Sequence, residues 1–184
     1  MAKNDGLLFN LRGFLEIAFT LPAAPILRQR YNQWGAAPDE IAAEYPGDRF
    51  APQPVLAYTR AITIAAPPAS VWPWVNQIGQ GRGGLYSYDR IENIIRCDIH
   101  SADRILTDLP PFQKGDKMRL GPEGYPFFYV LAIEPQKYLL LGNGSELKTS
   151  DDARTADLNT PPPAGGDHNT WLFYLKPLPG SRRA

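Results

Sequence analysis

The densest group of potentially reactive polar side chains lies in the segment Asp98-Ile99-His100-Ser101-Ala102-Asp103. A histidine oriented by a carboxylate can act as a general base, so His100 with Asp98 or Asp103 is the candidate catalytic group. Ser101 lacks the strand-to-helix context of an activated serine nucleophile. Two other interpretations stay open. These side chains can contact a ligand, or they can brace a helix-to-strand connection by local hydrogen bonds, which we favour.

The residue pattern gives little support for a metal site or a phosphate-binding site. A third or fourth metal ligand is not evident near His100, and His168 lies in a polar stretch far along the chain. The single cysteine, Cys97, cannot form an internal disulfide or a thiolate cluster. The glycine-rich run 79–84 follows a helical pattern and matches neither the dinucleotide fingerprint nor the P-loop. We expect a tight turn there, no metal and no cofactor, although Arg82 could hold an anionic headgroup.

Aromatic side chains offer a second kind of site. Tyrosine and tryptophan carry a polar group that needs a partner when buried, and several of them together suit an apolar cavity with a few fixed polar groups. Ordinary core packing would explain many of the same residues. The candidate ligand-binding residues are Trp74, Tyr86, Tyr88, Ile91, His100, Asp103, Phe128, Tyr129 and Trp171.

Residues 1–58 are predicted to be an N-terminal extension. Apolar residues share one helical stripe in residues 7–19, which predicts an amphipathic helix. Arg12 and Glu16 interrupt the apolar stretch, which argues against a membrane span and a signal peptide. We favour a helix docked on its own domain, with a membrane surface or a protein partner as the alternative. A short helix is expected to open at Pro38.

The domain that follows, residues 59–184, begins with a predicted strand at 60–64, which is β-branched and alternating. A first helix is expected from about residue 69 to Gln77. A second is expected from Tyr88 to Arg96, capped by Ser87. Its spacing predicts a buried stripe formed by Tyr88, Ile91, Ile94 and Ile95.

The apolar period then changes to two, which predicts strands and an antiparallel meander. Both faces of the strand beginning at Phe127 are apolar, so alternation does not show which face is inward. Residues 142–170 are polar and rich in proline and glycine, so they form either a lid or a disordered insertion, and we favour a flexible loop. The predicted strands are Lys117–Leu120, Phe127–Ile133, Tyr138–Leu141 and Trp171–Leu175.

The charge balance bears on the class of partner. Lysine plus arginine number 19, and aspartate plus glutamate also number 19, so the formal net charge is zero. Nucleic-acid binders carry a basic excess, so we expect no nucleic-acid partner. With 43% apolar residues the chain can bury a core. The single cysteine fits a cytoplasmic location. Within the cytoplasm the protein could also attach to a membrane surface.

Several stretches together carry a resemblance to a known family. They are Trp34-Gly35-Ala36, residues 59–68, Val71-Trp72-Pro73-Trp74, residues 77–84, Tyr86-Ser87-Tyr88-Asp89, Glu92-Asn93 and residues 98–103. In these the chain resembles the START-like (SRPBCC) superfamily, in its bacterial branch of polyketide cyclase/dehydrase-type and lipid-transport-like proteins. The resemblance is dense from about residue 34 to 141 and loose from 171 to 178.

The resemblance implies an α+β helix-grip fold. In that fold a curved antiparallel sheet, with two short helices after its first strand, grips a long C-terminal helix around a ligand cavity. No long helix pattern follows Trp171–Leu175, and the final strands are also missing from the sequence. We therefore expect an incomplete C-terminal part of the domain.

The expected function is binding of a hydrophobic small molecule, lipid or polyketide-like, in a START-like cavity. The first alternative is an enzyme of the polyketide cyclase/dehydratase type that uses His100 with Asp98 or Asp103. The second is a membrane-surface or protein-interaction module that acts through residues 7–19.

Overall fold

A computed structural model of the chain describes residues 31–161 and 166–178. They fall into two compact units, one of residues 31–43 and 55–62 and one of the remaining described residues. The amphipathic helix predicted at 7–19 lies outside the described residues. Within the described residues, no helix is both long and apolar enough to cross a membrane.

The first unit contains helix α1, Pro38–Ala42. Proline occupies its first turn together with Asp39 and Glu40, as the free N–H groups and the helix dipole favour. The Glu40 carboxylate accepts a hydrogen bond from the Ala37 N–H at 2.9 Å. The short helix predicted at Pro38 is therefore confirmed.

The strand predicted at residues 60–64 is not formed. Instead, the Thr59 N–H donates to the carbonyl of Asn32 at 2.8 Å, and the Ala61 N–H donates to the carbonyl of Trp34 at 3.0 Å. A Cβ at Gly35 would lie 2.1 Å from the Ala61 carbonyl oxygen, so this close approach requires glycine. A strand needs a neighbour that continues its ladder, and the described backbone bonds of this segment stop at Ala61.

In the second unit, two short helices precede the sheet, α2 at Pro68–Asn76 and α3 at Asp89–Ile94. Between them, Gly79 and Gly84 exchange backbone hydrogen bonds of 2.8 and 3.1 Å. The predicted turn between the two helices is therefore confirmed. Helix α3 is shorter than predicted, and its N-terminus has no side-chain cap from Ser87.

The sheet of the second unit is the predicted antiparallel meander. The strands are β1 at Lys117–Arg119, β2 at Phe127–Glu134, β3 at Tyr138–Gly144 and β4 at His168–Tyr174. They lie in the order β1-β2-β3-β4, and each pairs antiparallel with the next. Short connections join β1 to β2 and β2 to β3, whereas residues 145–167 separate β3 from β4.

Both faces of the sheet are covered, which explains the two apolar faces of β2. The register shifts between Val130 and Ala132, and this bulge places Leu131 and Ala132 on the same face. The core of the first face contains Phe50, Tyr129, Leu131, Leu140, Leu147 and Ala153. The core of the second face contains Ile78, Phe112, Met118, Val130, Leu139 and Leu141.

Within the segment predicted to be a flexible loop, β3 continues to Gly144 and residues Ser150–Thr155 form helix α4. The Thr149 hydroxyl accepts from the Asp152 N–H at 3.1 Å, and the Asp152 carboxylate accepts from the Thr149 N–H at 2.7 Å. Leu147 and Ala153 are buried against the first face. The loop prediction is wrong here, because a capping box and two buried apolar side chains stabilise the helix.

Candidate functional site

An open groove of about 450 Å³ runs along the start of α3. Three of its lining side chains, Tyr86, Tyr88 and Ile91, belong to the predicted ligand-binding set. The other lining residues are Ser87, Asp89, Arg90 and Ser101. The sequence marked Ser87 only as the cap of a helix, and it had no signal that Ser101 returns to the same place.

Two polar residues far apart in sequence close the floor of the groove. The Asp89 carboxylate accepts hydrogen bonds from the Ser101 N–H at 2.7 Å and from the Ser101 hydroxyl at 2.6 Å. The same hydroxyl oxygen accepts from the Tyr86 N–H at 3.1 Å. Ser101 therefore ties the chain before α3 to the chain after it.

These hydrogen bonds also set the ionisation of Asp89. The Ser101 hydroxyl, and then the Ser101 N–H, lower the pKa of the Asp89 carboxyl, because both donors stabilise its charged form. Asp89 is therefore a carboxylate near neutral pH. Its oxygens are already engaged, which suits a structural role better than proton donation to a ligand.

Contacts with Gln77 and Trp74 hold Tyr86, which forms one wall of the groove. The backbone of Tyr86 has a φ of 55°, a conformation that costs energy for a non-glycine residue. The Tyr86 hydroxyl lies 2.5 Å from the side-chain nitrogen of buried Gln77, and the Trp74 ring meets the Tyr86 ring edge-on at 5.8 Å. Gln77 also bonds the backbone of Arg104 at 3.1 Å and of Leu106 at 2.9 Å.

The glycine-rich turn makes room for this arrangement. A Cβ at Gly83 would lie 2.6 Å from the Tyr86 hydroxyl and 2.8 Å from the Gln77 side chain. Gly83 therefore permits the contact between Gln77 and Tyr86.

Arg82, which the sequence left open as an anion-binding residue, is engaged inside the unit. Its guanidinium donates to the carbonyls of Asn76 at 3.0 Å and Pro110 at 2.8 Å. It also lies over the Phe112 ring, 4.1 Å from the ring centroid. Burial lowers the pKa of Arg82 from its ordinary value. These contacts fasten the turn to the segment before β1.

The stripe predicted to be buried on the second helix is instead exposed. The exposed fractions are 75% for Tyr88, 62% for Ile91, 78% for Ile94 and 65% for Ile95. The helical spacing placed these side chains together, but it could not show whether another element covers them. This correction leaves two of them, Tyr88 and Ile91, available to a ligand in the groove.

The histidine cluster lies beside the groove. The His100 Nε2 is 3.1 Å from a carboxylate oxygen of Asp98, and the Gln80 side chain donates to the other Asp98 oxygen at 3.3 Å. The side chains of His100 and Asp98 are 80% and 62% exposed. Asp103 is also exposed and is not part of the groove lining. The structure thus brings His100 to Asp98 and not to Asp103.

The remaining three predicted residues lie on the sheet. Phe128 and Trp171 meet on the second face, with ring centroids 6.1 Å apart. Tyr129 points to the first face, where it is buried in the core and its hydroxyl donates to the Lys148 carbonyl at 3.1 Å. Neighbouring residues of a strand point to opposite faces, so Phe128 and Tyr129 could not share one pocket.

No protein-family model, curated protein or solved structure matches this chain. The resemblance to the START-like superfamily therefore stays a prediction. The structure itself supports the coarser assignment, an α+β fold with a four-stranded antiparallel sheet and several short helices.

Proposed function

We propose that this chain binds an apolar small molecule, lipid or polyketide-like, in the groove beside α3. The observation that carries the proposal is the exposure of Tyr88 and Ile91 in a groove whose polar floor is already paired. A ligand that covers these side chains gains roughly 25 cal/mol for each Å² of apolar surface removed from water. Because Asp89 and Ser101 bond each other, an apolar ligand would leave neither group without a partner.

The size and lining of the groove agree with this class of ligand. Small-molecule sites commonly have volumes of about 300–1,000 Å³ and a mostly apolar lining with a few polar groups. The groove, at about 450 Å³, lies in that range. The resemblance of residues 34–141 to lipid-transport-like proteins supports the same ligand class.

A catalytic role of His100 is the alternative, and the geometry favours it less. His100 and Asp98 form a pair at 3.1 Å, as a general base and its orienting carboxylate would. Both side chains lie largely in water, however, so water competes with a substrate for their hydrogen bonds. The interaction module proposed for residues 7–19 depends on a segment outside the described residues.

The test is titration with an anilinonaphthalene sulfonate probe, followed by its displacement with fatty acids and aromatic polyketides. Ile91→Ser and Tyr88→Ser should each weaken probe binding by about fivefold to tenfold, because each removes apolar contact area worth about 1 kcal/mol or more. Fluorescence titration measures the dissociation constants.

Ile94→Ser is the matched control. Ile94 belongs to the same helix and is more exposed than Ile91, but it does not line the groove. Its replacement should leave the dissociation constant unchanged. The proposal fails if no apolar compound binds saturably, or if Ile94→Ser weakens binding as much as Ile91→Ser.

A further inference from the structure

The outer edge of β4 presents backbone groups that no other described strand uses. Leu175 donates its N–H to the Lys137 carbonyl at 2.7 Å, so its backbone points toward β3. Orientation alternates along an antiparallel strand, so the N–H and C=O groups of Thr170, Leu172 and Tyr174 point away from β3. Within the described residues, β4 lies at the end of the sheet and pairs with β3 alone.

This edge lacks the features that normally prevent pairing. Residues 169–175 contain no charge and no proline, and β4 pairs with β3 without a bulge. By contrast, β1 at the opposite edge has three residues, and its Lys117 and Arg119 are exposed. Long uncharged edges bind further strands, whereas short charged edges resist them. On β4 the side chains of Trp171 and Tyr174 are also partly exposed.

We propose that β4 pairs antiparallel with β4 of a second copy of this chain, so that one continuous sheet crosses the two-fold axis. The geometry selects the register in which Leu172 lies opposite the second copy's Leu172. Thr170 then lies opposite the second copy's Tyr174. All three residues have outward-pointing backbone groups, so each N–H and C=O gains a partner.

Side-chain contacts favour a second copy as the occupant of the edge. In this register Trp171 lies opposite the second copy's Phe173, at a non-hydrogen-bonded pair, where cross-strand side chains are closest. Two-fold symmetry forms this aromatic pair twice. It extends an existing cluster, in which the ring centroids of Trp171 and Phe173 are 4.8 Å apart and Phe128 adjoins Trp171.

Charge gives a second argument for self-pairing. The register places no charged residue opposite another between Asn169 and Leu175. The formal net charge of zero means that two copies do not repel each other as a whole. This inference is independent of the proposed ligand site, because no residue of β4 lines the groove.

Disulfide cross-linking tests the register directly. In a Cys97→Ser background, Leu172→Cys should form an intermolecular disulfide under mild oxidation, because directly opposed Cα atoms lie about 5.5 Å apart. Thr170→Cys should not, because the two Thr170 positions are offset by four residues, roughly 13 Å along the strands. Non-reducing gel electrophoresis measures the cross-linked fraction. Efficient cross-linking of Thr170→Cys in place of Leu172→Cys would overturn the register.

Analytical ultracentrifugation over a concentration series tests the pairing itself. Wild type should associate to a mass of two chains, and Thr170→Pro should raise the dimer dissociation constant at least about tenfold, because it removes an outward N–H from each copy. Thr170→Val, which keeps that N–H, should dimerise like wild type. Circular dichroism checks that Thr170→Pro stays folded; if it does not, the cross-linking result decides. A monomer at every concentration without a Leu172→Cys disulfide refutes the proposal.

Discussion

Among single residues, two hydrogen-bonded side-chain pairs shape the groove. Buried Gln77 bonds the Tyr86 hydroxyl, and Ser101 bonds the Asp89 carboxylate. Both pairs join positions that are at least nine residues apart. The groove therefore depends on a folded connection and not on α3 alone.

The hydrogen bonds to Asp89 predict a specific pH dependence. The pKa of Asp89 is lowered in the folded protein, so the carboxylate stabilises the fold above its unfolded-state pKa of about 4. This stabilisation is lost as the pH falls through the folded-state pKa. Ser101→Ala should raise the pKa of Asp89 and lower the free energy of unfolding at neutral pH. The difference from wild type should shrink as the pH falls below about 4.

Carbon-detected NMR titration of the Asp89 carboxyl measures this pKa, and urea unfolding at several pH values measures the stability. Ser87→Ala is the control, because the Ser87 hydroxyl lies in the same groove but bonds Glu92 at 2.6 Å. Ser87→Ala should leave the pKa of Asp89 unchanged. An Asp89 pKa that does not move in Ser101→Ala would contradict the prediction.

Helix α4 shows how short-range hydrogen bonds create an element in a polar segment. Six residues are too few to form a stable helix alone, so the ends and the buried side must supply the stability. Thr149 and Asp152 satisfy each other's backbone N–H groups, and Ala153 packs against the first face of the sheet. The hydrogen bonds from Thr149 also lower the pKa of Asp152.

Thr149→Ala should therefore lower the free energy of unfolding by about 1 kcal/mol, the usual cost of removing an N-cap hydroxyl. Urea denaturation followed by circular dichroism measures this change. Thr155→Ala is the matched control, because Thr155 lies in the same helix and bonds a carbonyl of the preceding turn at 2.9 Å. Its effect should stay within about 0.5 kcal/mol. Equal effects of the two replacements would show that the cap is not what stabilises α4.

In the second unit as a whole, one sheet carries a hydrophobic core on each of its two faces. The consecutive residues Leu139, Leu140 and Leu141 of the inner strand β3 are all fully buried, with Leu140 on the first face and the other two on the second. The turn between α2 and α3 is fixed by Arg82 to the chain that enters this sheet. Loss of sheet packing should therefore unfold the groove together with the strands.

Leu140→Ala should cost about 2–5 kcal/mol of unfolding free energy, because it leaves a cavity at a site packed on all sides. Chemical denaturation measures the cost, and probe binding in the groove should be lost in the same transition. Leu158→Ala serves for comparison, since Leu158 borders the same core but is only partly buried. A Leu158→Ala variant as unstable as Leu140→Ala would argue against a core centred on β3.

Local pattern was enough to predict the elements of the sheet and their order. The segments Phe127–Ile133 and Tyr138–Leu141 are short apolar runs that a turn at Pro135 separates, so antiparallel pairing needs no information from distant residues. The pattern also placed Tyr86, Tyr88 and Ile91 near one another. The same reasoning failed at α4, where the proline and glycine content of residues 142–170 outweighed the capping signal of Thr149 and Asp152.

The α+β character, the antiparallel pairing around Pro135 and the glycine turn between two helices could be predicted from local pattern, because each depends on residues that are close along the chain. The exposure of Tyr88 and Ile91, the burial of Tyr129 and the contact of Ser101 with Asp89 became evident only in the folded chain. Burial and polar pairing depend on which distant segment lies opposite a side chain. Periodicity records which residues share a face and carries no information about what covers that face.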